Sequence, residues 1–363
     1  MAAATARQLE QLAVKLEPAF QRAFLRAIAG MANQAGVQLI GQLLGAGRVD
    51  DVLTVLGLDE PRFADLAEAM RTAFKEGGEL GAREVPQIRL SLELVIRGGY
   101  TPRTATPVLR SQFDLRNPAA ERWLQENSSR LITGIVEDQR SLIRGVLEQG
   151  MVAGRNPRTS ALDLVGRVGD TGRRTGGVLG LTSQQGQFVA NVRAELASGD
   201  AARMEHYLTR ARRDKRLDGI VKRAIAAGRP VSPGVIDRIA GRYADRLLAL
   251  RGEAIARTES LTALSAGREE AFRQQIVAGG LDPANVECTW SATGDRNTRH
   301  SHRAIDGQKR PFGQPFQTPS GALMLFPGDT SLGAGPEETI NCRCMKRYRI
   351  DMTAEALRGQ QVR

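Results

Sequence analysis

Apolar side chains recur at intervals of three or four residues along most of this 363-residue chain, which predicts a largely helical protein. The predicted helical stretches are 5–44, 59–74, 117–149 and 231–276. Asp59 and Asn117 are favourable N-caps for the second and third stretches, and each has a proline in the turn that follows. Several glycines in the first stretch weaken the expectation that it forms one unbroken helix.

Shorter elements are predicted between these stretches. Residues 85–110 contain scattered prolines and predict a connector, and the glycine-rich segment 170–180 predicts a flexible loop. Thr182 or Ser183 is the N-cap of a further helix. The side chains of that helix expected to face inward are Phe188, Val192 and Leu196.

The pattern changes towards the C-terminus, where apolar and polar side chains alternate. The run V-E-C-T-W-S-A predicts a strand, and Asp295 is expected to N-cap a helix that ends near Ile305. Residues 309–335 are rich in proline and glycine, which predicts an ordered irregular loop with a short strand at 322–326. Residues 342–350 predict a closing strand.

Together these elements predict a mostly α fold, with long helical N-terminal and middle regions followed by a small α+β C-terminal domain. The predicted domains are a helical N-terminal region with a connector (1–110), a second helical region (111–240), the α+β domain (241–350) and a C-terminal tail (351–363). Aromatic residues make up only 4% of the chain, which favours packed helices over a large sheet.

The chain is strongly basic, with a formal net charge of +11 and a pI of about 10.2. Such a charge favours contact with nucleic acid or another anionic surface. The candidate phosphate contacts are Arg173, Arg174, Arg210, Arg212, Arg213, Lys215 and Arg216. A solvated helix face explains the same residues equally well. No segment is long and apolar enough to span a membrane, and the absence of an apolar signal core predicts synthesis in a reducing cytoplasm.

Side chains that carry chemistry are concentrated between Trp290 and Cys344. Two of the three histidines and two of the three cysteines lie there, namely His300, His302, Cys342 and Cys344. Thiolate and imidazole ligands suit tetrahedral zinc, so these four residues form a candidate metal site, with Cys288 as an alternative to His300. A reduced pair of small buried cysteines is the other interpretation. A disulfide from Cys288 to either of the later cysteines is a third, and free thiols are favoured over it.

Six short motifs follow one another in the same part of the chain. They are A-R-T-E, W-x-x-x-x-D, R-x-x-H, D-G, P-G-D and N-C-R-C. Each is weak alone, but this order after a long helix resembles the phage Mu F-like head morphogenesis family, the minor capsid proteins of tailed phages. The resemblance covers residues 240–350. The residues that carry it are Arg257, Thr258, Glu259, Trp290, Asp295, Arg299, His302, Asp306, Gly307, Asn341, Cys342, Arg343 and Cys344.

The resemblance also bears on the metal site. In many relatives the middle motif is C-x-x-C and the last is H-P-N-C-R-C, and these positions look like a zinc site. Here Arg299 and His302 stand at the two cysteine positions of the middle motif, and Thr339 stands at the histidine position of the last. At least two candidate ligands are therefore absent. The comparison favours the reduced cysteine pair over zinc, so no cofactor is expected.

Four charged residues come from separate segments that must meet if the C-terminal domain is compact: Glu259, Asp295, Arg299 and Arg343. The charge of an arginine cannot be titrated away, so a buried arginine needs a carboxylate partner. We expect Arg343 or Arg299 to pair with Glu259 or Asp295, and so to connect the R-T-E helix to the closing strand.

The resemblance implies a non-enzymatic minor capsid protein that acts in head morphogenesis. Its implied partners are the portal protein and other capsid components, with residues 111–240 as a docking region, and its implied location is the virion, in the capsid interior near the portal. The basic surface suits packaged double-stranded DNA contacted without sequence specificity. The chain contains no H-E-x-x-H, nucleophile-elbow or phosphate-binding glycine motif. The alternatives are a nuclease-like DNA-processing enzyme of phage origin centred on His302 and Asp295, and a scaffold removed during maturation.

Overall fold

A computed structural model of the chain describes residues 5–57, 60–85, 112–152 and 154–355. These residues form a mostly α-helical fold with few strands, which confirms the predicted class. The α-helices are α1 (Ala6–Gln34), α2 (Val37–Gly45), α3 (Val49–Leu56), α4 (Ala64–Glu84), α5 (Pro118–Val152), α6 (Pro157–Val165), α7 (Ser183–Ala197), α8 (Ala201–Thr209), α9 (Asp218–Ala226), α10 (Pro233–Gly279), α11 (His300–Ala304) and α12 (Pro336–Thr339). The strands are β1 (Arg167–Val168), β2 (Arg174–Thr175), β3 (Val286–Ser291), β4 (Lys309–Pro311), β5 (Phe316–Gln317), β6 (Leu323–Met324) and β7 (Met345–Ile350). Within the described ranges, no helix combines the length and apolar character needed to cross a membrane.

Local capping residues set the ends of several helices, largely where the sequence predicted them. α5 begins directly after Asn117, whose side chain accepts a hydrogen bond from the first turn. α7 begins after Thr182, which forms a capping box with Gln185: each side chain accepts a hydrogen bond from the backbone N–H of the other residue. The predicted stretch 5–44 is divided into α1 and α2, because the backbone is extended at Gly36.

Other local predictions need correction. Phe188 was expected to face inward but is 37% exposed, because the buried stripe of α7 passes through the neighbouring Val189 instead. Asp295 does not N-cap the helix that ends near Ile305; its side chain closes a turn, and Arg299 is the residue that precedes the short α11. The segment predicted as a flexible loop contains β2. Asp59 and most of the predicted connector, residues 86–110, lie outside the described residues.

The chain divides into two compact units, and neither is continuous in sequence. Unit 1 comprises Met1–Pro18, Glu68–Glu126 and Ala256–Arg363, and unit 2 comprises Ala19–Ala67 and Asn127–Ile255. The boundaries of the units fall inside α1, α4, α5 and α10. The continuous domains predicted from the sequence stay a prediction.

Unit 2 is a helical unit with a mainly aliphatic core. Its most deeply buried side chains, each no more than 2% exposed, include Phe20, Phe24, Ile40, Val52, Phe63, Leu164, Leu181, Val192, Tyr207, Val221 and Ile239. A buried carboxylate, Asp163, is neutralised by three guanidinium groups, which belong to Arg155, Arg167 and Arg193. Low aromatic content is thus compatible with a closed core, because branched aliphatic side chains fill most of it.

Unit 1 contains a three-stranded antiparallel sheet with strand order β4-β3-β7. The central strand β3 follows the predicted alternation, and Val286, Cys288 and Trp290 are fully buried. The core on this side of the sheet also includes Phe272, Ile305, Phe316, Met324, Cys342, Cys344 and Tyr348. A second cluster joins the start of α1 to α10 and β7 through Leu9, Ala13, Leu261, Leu264 and Met345.

Within unit 1, α4 and the C-terminal part of α10 approach each other at glycines. A Cβ atom at Gly267 would lie 2.0 Å from the carbonyl oxygen of Phe74, and one at Gly77 would lie 2.2 Å from that of Leu264. No side chain fits at such a distance, so the two backbones touch. One residue further along α10, Arg268 donates two hydrogen bonds to the carboxylate of Glu84, at 2.8 and 2.9 Å.

Candidate functional site

The first and last motifs meet through Thr258 and Asn341. Thr258 lies in α10, and its Oγ1 accepts a hydrogen bond from the backbone N–H of Asn341 at 3.0 Å. Asn341 has a φ of 57°, the only positive φ of a residue other than glycine in the described part of the chain. Asparagine adopts this left-handed conformation more readily than most residues. The N of N-C-R-C therefore turns the backbone immediately before Cys342, and the T of R-T-E anchors that turn.

Arg343 supplies the predicted ion pair. Its guanidinium donates to Asp295 Oδ2 at 2.5 Å and also lies 3.9 Å from Glu10 Oε1 in α1. The hydrogen bond from Arg343 and others from Thr298 and Asn297 lower the pKa of Asp295 below its ordinary value. Arg299, the other arginine considered for this pair, donates from its guanidinium to the carbonyl of Ile340.

The buried centre of the motif region consists of His302, Cys342 and Cys344. His302 Nδ1 lies 3.5 Å from Cys342 Sγ and 3.4 Å from Cys344 Sγ, and all three residues are at most 5% exposed. The ligand atoms of the three side chains lie within 4.8 Å of one another. Two thiols and one imidazole are donors that zinc prefers, so the residues present fit this metal.

The pKa values of the two thiols are shifted in opposite directions. The side-chain hydrogen bond from Cys342, together with one from His302, outweighs burial and lowers the pKa of Cys344 to about 5. The same interaction with Cys344, reinforced by burial, raises the pKa of Cys342 well above its ordinary value. The interaction between the two thiols therefore moves their pKa values in opposite directions.

A carboxylate missed by the sequence analysis faces the other side of His302. Glu338 Oε2 lies 3.1 Å from His302 Nε2, and the Glu338 side chain is only 4% exposed. Ser301 and Ser320 each donate a hydrogen bond to it at 2.7 Å. Burial raises the pKa of Glu338, but the hydrogen bonds from Ser320 and Ser301 outweigh it and leave the pKa below its ordinary value. Glu338 follows Glu337 just after the proline- and glycine-rich segment, where no periodic pattern distinguishes it.

The other motif residues fix turns around this centre. Asp306 Oδ1 accepts from the backbone of Ala292 at 2.8 Å, and the Gly307 N–H donates to the Trp290 carbonyl at 2.9 Å. In P-G-D, the buried Asp329 accepts hydrogen bonds from two backbone N–H groups of its own loop. The motif side chains and backbone atoms thus close loops of the α+β part upon one another.

Two candidate ligands do not join the centre. His300 is exposed at the start of α11, and it is not part of the three-residue group. Cys288 is buried on β3, where burial raises the pKa of its thiol to about 12, and it also stands outside the group. All three cysteines are free thiols.

The predicted phosphate contacts separate into two groups. Arg210 forms a two-pronged pair with Glu195, and Arg213 forms one with Asp218. The Arg174 guanidinium donates to a backbone carbonyl. Three others, Arg173, Arg212 and Lys215, are exposed and have no acidic partner among the described residues. Arg216 is 73% exposed although it contacts Asp214, so a solvent-facing positive surface remains.

Three arginines, Arg216, Arg242 and Arg246, form ion pairs with Asp214 beside this surface. The pKa of Asp214 is lowered well below its ordinary range, and the hydrogen bond from Arg216 is the largest cause. Arg242 and Arg246 lie one turn apart on α10 and are 49% and 42% exposed. Sequence inspection missed both because they lie outside the dense basic run.

Comparison with known proteins adds one match. Residues 215–347 match the family model described as Phage Mu protein F like protein, and the match confirms the resemblance inferred from the motifs. It includes the six motifs, the buried centre and part of the basic surface. No curated protein and no solved structure gives a significant match to the chain.

Proposed function

We propose that this chain, which matches the phage Mu protein F like family over residues 215–347, is a head morphogenesis protein. In this proposal it is a minor capsid component that associates with the portal inside the procapsid and lies beside packaged DNA. The observation that supports the proposal most directly is the structural role of the family motif residues. Thr258, Asn341, Arg343 and Asp295 connect separate segments of unit 1 to one another. This structural use of the motifs supports a role in assembly and binding.

The nuclease-like alternative receives less support from the same residues. His302 is 1% exposed and faces two thiols and Glu338, while Asp295 is paired with Arg343. A general base must come within about 3.2 Å of the proton that it removes, directly or through one water. An imidazole buried to this extent does not reach a DNA strand.

A protein partner is supported by exposed apolar side chains in unit 2. At the C-terminal end of α5, Met151 is 73% exposed and Val152 is 92% exposed. Met151 lines a groove of 390 Å³ together with Leu44, Leu147 and Pro157. Exposed apolar surface beside a groove is typical of protein interfaces. We assign the portal-facing surface to this part of unit 2, which overlaps the docking region expected from the sequence.

The virion location is tested by the protein inventory of purified particles. We expect the chain in DNA-free procapsids and in finished virions, at far fewer copies than the major capsid protein, and co-purified with the portal after mild disruption of procapsids. Quantitative mass spectrometry of both particles checks this. Presence in procapsids and absence from virions would instead support the removable scaffold, and absence from both would contradict a role in the head.

DNA contact is assigned to the exposed cations that surround Asp214. Arg212, Lys215 and Arg216 project from one short segment, and Arg242 and Arg246 lie on the adjoining face of α10. Phosphate neutralisation depends on charge and is independent of base sequence, so such a surface binds any duplex. Arg210 and Arg213 of the original prediction are left out of this set, because their charges are balanced by Glu195 and Asp218.

Removing three of these charges tests the surface. For the variant R212Q/K215Q/R216Q we expect weaker binding to duplex DNA of any sequence, with the slope of log K against log salt reduced by about 0.9 for each lost phosphate contact. Asp214 keeps Arg242 and Arg246, so the fold is expected to persist. The control R26Q/R48Q/R83Q removes the same charge from other exposed positions. If both variants weaken DNA binding equally, the binding depends on the net charge of the chain and not on this surface.

A further inference from the structure

Two thiols converge on a single nitrogen in the buried centre of unit 1. His302 Nδ1 lies 3.4 Å from Cys344 Sγ and 3.5 Å from Cys342 Sγ. An imidazole nitrogen offers either one hydrogen or one lone pair, so it forms a full hydrogen bond with only one of them. Zinc bonds of 2.3 Å to sulfur and 2.0–2.1 Å to nitrogen in a tetrahedron place nitrogen and sulfur about 3.6 Å apart. The observed spacing is therefore close to that of ligands around one ion.

The opposite nitrogen of His302 faces Glu338. Nε2 is fully buried and lies 3.1 Å from Glu338 Oε2, yet the alignment is too poor for a hydrogen bond. A histidine that binds metal through one nitrogen commonly donates its other N–H to a carboxylate, which fixes the tautomer and the ring orientation. Glu338 is itself fixed by Ser301 and Ser320. A hydrogen bond from Nε2–H to Glu338 would leave the lone pair of Nδ1 free to bind a metal.

Charge and burial point the same way. His302, Cys342 and Cys344 are 1%, 5% and 4% exposed, and Glu338 adds a further acid to the same dry region. A divalent cation balances the charge of two thiolates, and such a group is cheaper to bury than charged sulfur without a partner. Thiolate and imidazole donors select zinc over magnesium or calcium.

We propose that His302 Nδ1, Cys342 and Cys344 bind one Zn²⁺ ion in this chain, with Glu338 as the positioning residue for His302. The described residues supply three protein ligands to the site. Three protein ligands leave one coordination position for water or another small ligand. The ion would join α11 to the loop that precedes β7, a structural role that does not depend on the proposed function in the phage head.

Metal content of the isolated protein tests the proposal. We expect about one zinc per chain in fresh, reduced protein purified without a metal-affinity tag. After removal of zinc, added Co²⁺ is expected to give the strong near-ultraviolet absorption of cobalt–thiolate bonds and the visible bands of tetrahedral cobalt. H302A and C344S should abolish both signals, and E338Q should weaken zinc affinity by about 10- to 100-fold.

Matched controls separate ligands from bystanders. C288S removes a buried cysteine of the same core, and H300A removes the exposed histidine two positions before His302; both should keep full zinc content. Far-UV circular dichroism identifies variants that lose zinc only because they unfold. The wild-type measurement is decisive without any variant: fresh, reduced protein with neither zinc nor the cobalt–thiolate absorption overturns the proposal. It is also overturned if C288S or H300A loses the metal while H302A, correctly folded, retains it.

Discussion

Replacing Arg268 with methionine is expected to lower the free energy of unfolding of unit 1 by about 3–5 kcal/mol, the usual cost of removing one partner from a buried ion pair. The Arg268 and Glu84 side chains are 1% and 4% exposed, and the arginine also donates to the Lys346 carbonyl at 3.1 Å. Without Arg268, the Glu84 carboxylate stays buried with no guanidinium to balance it. Both tryptophans of the chain, Trp123 and Trp290, belong to unit 1, so denaturant titration followed by tryptophan fluorescence reports on this unit.

Two further variants show whether the cost comes from the uncompensated charge. R268M/E84Q removes both charges and should recover much of the loss, because a neutral pair needs no counter-charge. R83A breaks an exposed pair with Glu79 in the same unit, and should cost less than about 1 kcal/mol because the two side chains are 72% and 39% exposed. If R268M costs no more than R83A, the buried pair is not a major source of stability.

Gly267→Ala is expected to destabilise the protein although the same change usually strengthens a helix. The added Cβ would lie 2.0 Å from the Phe74 carbonyl oxygen and 2.8 Å from the Gly78 nitrogen. Both atoms belong to the backbone of α4, so the whole helix must shift. We expect a loss of about 1–3 kcal/mol or more, as for other overpacked cores. Thermal unfolding followed by circular dichroism measures it.

The control for this substitution is Gly134→Ala in α5. A Cβ atom at Gly134 meets nothing within 4 Å, and the position is exposed. Without a clash, the helix propensity of alanine should raise stability by about 0.5–1 kcal/mol. A loss of stability for Gly267→Ala with a gain for Gly134→Ala would establish the close approach of α4 and α10. Stabilisation by both substitutions would contradict it.

Helices could be predicted from the sequence where local signals define them. Asn117 and Thr182 begin helices at the predicted positions because capping depends on neighbours within one turn. Burial was harder to predict, as Phe188 demonstrates. Adjacent side chains of a helix point in different directions, and the position of the packing partner decides which of them is buried. Buried charges such as Arg268 and Lys346 could not be predicted, because their partners lie far away in sequence.

The candidate site shows the same division. The motif order identified the region, and the pairing of Arg343 with Asp295 was among the combinations expected from compactness. Glu338 was missed, since no spacing rule connects it to His302, 36 positions earlier. The positive φ of Asn341 was not predicted either, because asparagine occurs in many conformations and the turn depends on an anchor in a distant helix.

The discontinuity of unit 1 has a consequence for synthesis on the ribosome. Leu9 and Ala13 pack against Leu261, Leu264 and Met345, so the first turns of α1 are made long before their buried partners. At 5–20 residues per second, a gap of roughly 250 residues corresponds to about 12–50 s. During that interval an apolar helical face has no native partner, and unit 1 completes its core only after Met345 has been made. Unit 2 is complete earlier, because its last residues are made before the C-terminal segment of unit 1.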